Sequence, residues 1–252
     1  MPFPDFRASA WAAILQPRAG VALWTEKWAN MSAVIQLPIF PLPDVVLFPH
    51  TMLPLHVFEP RYRQMVQGCL AGDRRLAMAL LKPGWEKGYY GRPPVHPIAG
   101  AAEIIQHEEL PDGRFNILVR GTMRIGITAE LPPNKPYRIV RARPLADRYP
   151  DEDPDSLATR IERLKVFYLR MLAEVQKGQG EMAKIFSGVK DPAIIVDRIA
   201  GAAISDTEAR QQVLECVEVP ARISLVQDLL VGILARVSDR NTPSERGSGR
   251  QN

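Results

Sequence analysis

The chain has 252 residues and a mass of 28.2 kDa, enough for one large domain or two domains of ordinary size. Its hydrophobic content of 46% and charged content of 24% are typical of a soluble globular protein, and no apolar run approaches the length of a transmembrane helix. The net charge is +4 with acids interleaved among the basic residues, so the charge alone supports solubility and weak polyanion affinity and gives no sign of the basic patch of a typical nucleic-acid binder.

Residues 1–33 lack the clean hydrophobic stretch of a signal peptide, and we expect them to be a poorly ordered extension. From residue 34 the pattern becomes β-rich and dense in proline, which suits short, bent strands of a small closed or half-closed barrel. It predicts strands over Val34–Phe40, Val45–Phe48 and Met52–Val57. Apolar residues at helical spacing then predict a helix from Pro60 to near Gly72.

The rest of the β-rich part, residues 34–146, contains a long loop and a hairpin. Arg75–Leu81 is nearly all apolar and predicts a central strand, and the loop Lys82–Pro97 follows it. Ile98–Glu109 predicts the first arm of a hairpin, turning at Leu110-Pro111-Asp112-Gly113. Further strands are predicted over Arg114–Val119, Thr122–Ile127 and Tyr137–Ala142, with the intervening glycines read as bulges or corners.

Residues 147–155 form an acidic, proline-rich linker, after which the apolar period changes to that of helices. We expect a helical subdomain over residues 156–239 and a disordered tail over residues 240–252. The capping and periodicity signals place its helices at about 155–175, 181–186, 193–203, 206–217 and 219–237, with Asp206 or Ser205 capping the fourth.

No motif for catalysis or for a cofactor is present in this sequence. It contains no phosphate-binding glycine loop, no nucleophile elbow and no zinc-protease motif, and its four histidines are too scattered to predict a metal site. We therefore expect no enzymatic activity, no cofactor and no bound metal. The two cysteines, Cys69 and Cys216, lie far apart in helical patterns, which favours a reducing compartment and a cytoplasmic location.

Two long stretches resemble one known family. LPIFPLPDVVLFPHTMLPLHVFEPRY, the GAAEIIQHEELPDGRFNILVRGTMRIGI hairpin and YRIVRARPL are similar to the β half of the N-terminal substrate-recognition domain of Lon proteases. DPAIIVDRIAGAAISDTEARQQVLECVEVPARISLVQDLL is similar to its helical half, including a Glu215-to-Arg222 pattern. The resemblance covers about residues 36–240, and the loop KPGWEKGYYGRPPVHP looks more like the stand-alone bacterial members than like full-length Lon.

The resemblance implies an α+β fold. Its first part would be a PUA-like, mostly antiparallel β-barrel with one embedded helix, and its second part an α-helical bundle. In Lon this domain holds unfolded or degron-bearing proteins. The implied function is a non-catalytic binding module or an adaptor in protein quality control, whose partners are unfolded or partly folded polypeptides. A protease or chaperone machine is a further candidate partner, and no membrane is expected.

Two groups of residues are candidates for contact with polypeptides. Trp85, Tyr89 and Tyr90 lie in the glycine- and proline-rich loop, where exposed rings offer a large contact area at small entropic cost. Phe48, Met52 and Leu53, together with His50, lie where two predicted strands meet and are candidates for an apolar patch at the barrel mouth. Packing of either group against the barrel is the alternative, and exposed strand edges are a further candidate for peptide binding.

An RNA-binding PUA-like module is the alternative function. It needs a basic face, for which the candidates are Arg114, Arg120, Arg124, Arg138, Arg141 and Arg143. In a half-buried sheet such alternate arginines simply mark the solvent face, and we prefer that interpretation. Nucleic acid is therefore the less favoured partner.

Overall fold

The computed structural model describes residues 34–150, 153–174, 185 and 188–241. Their order is β1 (Ile35–Leu42), β2 (Met52–Val57), α1 (Pro60–Ala71), β3 (Arg75–Leu80), β4 (Ile98–Glu109), β5 (Phe115–Glu130), β6 (Arg138–Leu145), α2 (Pro154–Glu174), α3 (Pro192–Ala203), α4 (Thr207–Glu215) and α5 (Val219–Asn241). The extension expected over residues 1–33 lies outside the described residues, as do most of the helix expected over 181–186 and of the tail expected over 240–252.

The strands form one mixed sheet in the order β2-β5-β4-β3-β1-β6. Within it, β1 and β3 are parallel and the remaining pairings are antiparallel. The second half of β5 also pairs with β6, so the strands β5, β4, β3, β1 and β6 form a closed ring of pairings. β2 lies outside this ring and, among the described strands, pairs only with the first half of β5. The α+β class is thus confirmed, but the molecule is not the clean barrel that was expected. The PUA-like classification stays a prediction.

The observed strand bounds agree with those predicted from the sequence where turn residues flank a run of alternating apolar and polar residues. β2 and β4 have the predicted bounds, and α1 begins at Pro60 as predicted. Two predictions are wrong. Val45–Phe48 forms no strand. The two short strands predicted on either side of Gly121 are one sixteen-residue strand, β5.

Both errors have the same cause, a close crossing of chains. A Cβ added to Gly100 on β4 would lie 2.1 Å from the carbonyl oxygen of Leu47, and one added to Gly121 on β5 would lie 2.0 Å from that of Phe48. The segment around Leu47 and Phe48 therefore passes directly over the two strands instead of pairing beside them. Glycine is needed at the crossing points because only its backbone leaves room for this approach.

α3 and α4 begin at positions capped by an aspartate side chain. Asp191 accepts a hydrogen bond from the Ala193 amide at 2.9 Å, and Pro192 occupies the first turn of α3. Of the two predicted caps for α4, Asp206 is the one used, because its carboxylate accepts from the Ala209 amide at 2.7 Å. α5 starts at Val219, as predicted, and continues to Asn241.

The helices share one apolar core with part of the sheet half. Phe48, Val46 and Leu80 pack in the same buried cluster as residues of all four helices α2–α5. A second cluster lies between α1 and the sheet, around Met65 and Phe115. The division into a β domain ending at residue 146 and a helical domain beginning at 156 stays a prediction, but the apolar core continues across it.

A set of four charges, three of them buried and Asp147 in contact with water, also joins the two halves; we call Arg124, Asp147, Asp197 and Arg222 the ionic joint. Arg124 on β5 donates two hydrogen bonds to Asp197 on α3, at 2.6 and 2.8 Å, and a third to the Leu214 carbonyl at 2.9 Å. Arg222 on α5 donates to Asp197 at 3.0 Å and also pairs with Asp147. Arg124, Asp197 and Arg222 are each no more than 1% exposed. Two cations and two anions thus compensate one another inside the protein.

Candidate functional site

The long loop between β3 and β4 brings three aromatic rings and one guanidinium together; we call Arg61, Trp85, Tyr89 and Tyr90 the aromatic platform. The ring centroids of Trp85 and Tyr89 are 5.5 Å apart, and those of Tyr89 and Tyr90 are 5.2 Å apart, both edge to face. The Arg61 guanidinium carbon lies 4.9 Å from the centre of the Tyr89 ring and 5.9 Å from that of Tyr90. These are favourable geometries for aromatic pairs and for cation–π contacts.

Local turn chemistry presents these rings. Gly84 has φ of 87°, a left-handed conformation that favours glycine, and it precedes a short 3₁₀ turn, Trp85–Gly88. The Gly91 amide then donates to the Gly88 carbonyl at 2.8 Å and closes the following turn. The base of the loop is tied by a bond from the Lys82 amide to the Pro94 carbonyl at 2.9 Å. The loop is therefore a defined structure rather than a loose connection.

Glu59, between β2 and α1, anchors the platform. The Tyr89 hydroxyl donates to one Glu59 oxygen at 2.5 Å, and Arg61 Nε donates to the other at 3.0 Å. Arg61 also donates to the Tyr89 carbonyl at 3.3 Å. Burial, followed by the hydrogen bond to Glu59, raises the pKa of Tyr89, so its hydroxyl remains a donor. The platform is thus fixed to the start of α1 at both ring and main chain.

Glu59 and Arg61 stand at the start of α1, where the sequence predicts a helix cap and a local ion pair. The pair is present, but the Glu59 side chain makes no capping hydrogen bond to α1 and binds Tyr89 instead. This partner lies 30 residues away in the chain. No local pattern could have found it.

The platform is partly packed and partly free. Trp85 and Tyr89 are half-buried, whereas the Tyr90 side chain is 89% exposed. Phe58, which directly precedes Glu59, is 60% exposed and was missed from the sequence. Of the two interpretations of this loop, packing against the protein thus applies to Trp85 and Tyr89, whereas the Tyr90 side chain projects into solvent.

The second predicted group lies elsewhere. Phe48 is fully buried, below the Arg210 guanidinium at 5.5 Å, so its ring cannot contact a partner directly. His50 is exposed and has φ of 59°. Met52 is 48% exposed at the first position of β2. Because six strand residues span about 20 Å, Met52 and the platform lie at opposite ends of β2 rather than in one cluster.

The arginines of the RNA alternative do not form a free basic face. Four of the six contact carboxylates: Arg114, Arg120, Arg124 and Arg138. Two of these, Arg124 and Arg138, are 1% and 8% exposed, so the expectation that alternate arginines mark the solvent face is wrong for them. The helices cover Arg124, and Arg138 donates to the Pro93 carbonyl at 2.7 Å as well as to Glu130. The geometry therefore gives the RNA alternative no support.

Within the described ranges, no group of three or more His, Cys, Asp or Glu side chains is arranged to hold a metal ion. A search of the same residues finds no helix with the length and apolar character needed to cross a bilayer.

Comparison with known proteins agrees with the fold. Residues 36–232 match the family model of the substrate-binding domain of the ATP-dependent protease La (Lon). The Lon protease of Trichlorobacter lovleyi is 30% identical over 197 residues, and that of Escherichia coli K12 is 25% identical over 198 residues. These alignments cover 77% and 78% of this chain but only 23% and 24% of the relatives. The chain thus spans about a quarter of the length of the Lon proteases it matches.

Solved structures show the same architecture. The N-terminal domain of Mycobacterium avium complex Lon protease matches with a TM-score of 0.62 and 20% identity, covering 78% of this chain and 98% of that one. The Lon N-terminal domain protein from Xanthomonas campestris matches with a TM-score of 0.51 and 21% identity, covering 80% and 98%. At these identities the likeness concerns the fold alone. Together with the match over residues 36–232, it places the chain in the family of Lon substrate-binding domains.

Proposed function

We propose that this chain is a polypeptide-recognition module that binds unfolded or degron-bearing proteins through the aromatic platform. In this proposal it catalyses neither ATP hydrolysis nor peptide cleavage itself. It acts as an adaptor in cytoplasmic protein quality control, passing clients to a protease or chaperone machine. The observation that carries the proposal is the exposed Tyr90 ring, held beside rings that the fold has already ordered.

Order in the platform favours binding. A flexible aromatic side chain loses rotamer freedom when it meets a partner, which reduces the affinity. Here Tyr89 is fixed by Glu59 and Arg61, and its edge contact limits the positions open to Tyr90. The Tyr89 ring is therefore ordered before a client binds, so the entropic cost of ordering the platform falls mainly on Tyr90.

The chemistry of the platform suits clients with exposed apolar side chains. The Arg61 guanidinium pairs with Glu59 and lies over the ring faces, so its charge is compensated within the cluster, although its buried Nη2 group has no hydrogen-bond partner among the described residues. Two exposed rings belong to this part of the chain: Tyr90 on the loop, and Phe58, which directly precedes Glu59. Folded proteins bury such side chains, whereas unfolded ones expose them, so the platform favours the unfolded state of a client.

Binding of fluorescein-labelled casein, followed by fluorescence anisotropy, tests this proposal. Tyr90→Ala is expected to weaken binding about tenfold, the usual effect of deleting an aromatic hot spot. Tyr149→Ala is the control, because Tyr149 is also exposed, at 48%, but lies on the segment between β6 and α2, where its hydroxyl donates to the α3 cap Asp191 at 2.9 Å. Thermal melts of both variants exclude a general loss of folding as the cause.

Two results would contradict the proposal. One is no casein binding by the unmodified chain at high micromolar concentration. The other is an equal effect of the two tyrosine substitutions, which would place the contact away from the platform. Incubation of the pure chain with ATP and casein completes the test, and release of phosphate or of casein fragments would refute the non-catalytic role.

A further inference from the structure

β2 is an edge strand within the described part of the chain. Its ladder partner is β5, and the other side of β2 faces no described strand. Met52 and Pro54 on this strand are both exposed. An edge of this kind carries main-chain N–H and C=O groups with no ladder partner, which makes it a template for another extended chain.

The register identifies the groups that point outward. The Gly121 amide donates to the Thr51 carbonyl at 2.9 Å, which fixes Thr51 as a position facing β5. Ladder bonds of antiparallel strands recur at every second residue, so Leu53, Leu55 and Val57 also face β5. The main-chain groups of Met52, Pro54 and His56 therefore point away from the sheet, and the described residues offer them no hydrogen-bond partner.

Pro54 stands at the middle outward position, where the missing N–H costs the sheet nothing. The outward edge therefore offers three carbonyls but only two N–H groups. An incoming chain without proline can form up to five main-chain bonds with it. A second copy of β2, paired symmetrically about Pro54, would bring its own proline and form at most four. The proline thus favours a different chain over self-association.

Side chains next to the edge add a preference for apolar clients. Leu53 and Leu55 are half-buried and pack against the core between α1 and the sheet. Side chains of an added strand that point to the same face would extend this core and cover the two leucines. Phe58 is 60% exposed just beyond the end of the strand. Phe58 and Glu59 directly follow β2 in the chain, so the free edge of β2 leads directly to Glu59, the residue that anchors the aromatic platform.

We propose that the outward edge of β2 binds an extended segment of a client as an additional strand, with apolar side chains at alternate positions packed on Leu53 and Leu55. This rests on the proposed function, since it names the binding mode and ligand class of the same module. Main-chain bonds supply affinity independent of sequence, and the alternate apolar positions supply selectivity. Such a ligand is an extended, proline-free, alternately apolar segment, which unfolded proteins expose.

Amide hydrogen exchange of the unmodified chain, followed by NMR with and without unlabelled casein, tests the edge directly. The amides of Met52 and His56 are expected to exchange at least tenfold more slowly with casein, because they gain partners. Those of Leu53 and Leu55 already bond to β5 and serve as internal references. Unchanged exchange at Met52 and His56 under saturating casein would overturn the proposal. Slowing that depends on protein concentration without casein would also overturn it, by making a second copy the occupant.

A pair of substitutions supplies the second arm. His56→Pro and His56→Ala both remove the imidazole and its contact with Asn116, but only the proline removes the outward N–H. The proline variant is expected to bind casein three- to tenfold more weakly than the alanine variant, the net effect of one main-chain hydrogen bond. Equal affinities would overturn the strand-addition mode. If Tyr90→Ala still weakened binding in that case, the proposed function would stand without it.

Discussion

Replacement of Arg124 by methionine tests whether the ionic joint holds the helices on the sheet. The substitution keeps a long, unbranched side chain of similar volume but removes the charge and three hydrogen bonds. Asp197 would keep Arg222 as a partner, whereas the Leu214 carbonyl would lose its donor. The joint would change from two balanced pairs to a set with one excess negative charge.

The expected cost follows from these losses. Removing one member of a buried ion pair costs about 3–5 kcal/mol, because the remaining charge stays out of water. Since Arg222 still compensates Asp197 in part, we expect a value near the lower limit, about 3 kcal/mol. With a urea m-value of about 2 kcal/mol per molar, the unfolding midpoint falls by about 1.5 M.

Arg120→Met is the matched control on the same strand. Arg120 pairs with Glu103 at 2.8 Å, but the two side chains are 35% and 20% exposed. A pair in contact with water contributes about 0–1 kcal/mol, so this variant should stay close to the original chain. Urea unfolding followed by circular dichroism compares the two variants under one condition.

A double variant separates charge balance from packing. Arg124→Met combined with Asp197→Leu leaves Arg222 paired with Asp147, and the joint is neutral again. Its loss of stability should be smaller than the sum of the two single losses, because each single variant strands a charge that the double variant does not. Equal costs for Arg124→Met and Arg120→Met, or strict additivity in the cycle, would refute the idea that buried charge balance fixes the helices.

Two other predictions concern close packing. Gly100→Ala places a methyl group 2.1 Å from the Leu47 carbonyl oxygen and should lower the free energy of unfolding by about 3 kcal/mol or more. Gly232→Ala has open space around it in α5 and should raise the free energy of unfolding by about 0.5–1 kcal/mol. Urea unfolding measures both changes, and a Gly100→Ala variant as stable as the original chain would contradict the crossing. Cys69 is 5% exposed and burial raises its pKa to about 12, so a thiol reagent at pH 8 should modify it only after denaturant is added, whereas Cys216 is only partly buried. Peptide mapping separates the two cysteines, and rapid modification of Cys69 in the native chain would contradict this prediction.

Local sequence patterns were sufficient to predict a strand or helix where the residues that determine its ends lie next to it in the chain. β2 and β4 could be predicted to the residue because proline or turn residues mark their ends. The Asp191-Pro192 start of α3 and the α5 start at Val219 also follow from local chemistry. In each case the deciding groups lie within one turn or one strand of each other.

The failures involve contacts between distant parts of the chain. Gly121 looks like a strand end until the Phe48 carbonyl that crosses over it is known. Arg124 alternates with apolar residues as a solvent-facing side chain would, yet the helices cover it and supply Asp197. The same holds for the platform, where Glu59 finds Tyr89 across the fold. The spacing of apolar residues shows that the two faces of a strand or helix differ, but it does not show which distant part of the chain covers each face.

The crossing at Gly121 divides β5 into two parts with different tasks. Residues Phe115–Arg120 pair with β2 and so support the free edge, while Arg124 and the following residues pair with β6 and carry the ionic joint. A strand of six residues could hold only one of these partners, so the continuous length of β5 is what allows both. The helices are fastened at one end of the strand, and β2 pairs at the other end, where we propose that a client segment adds to the edge that no described strand covers.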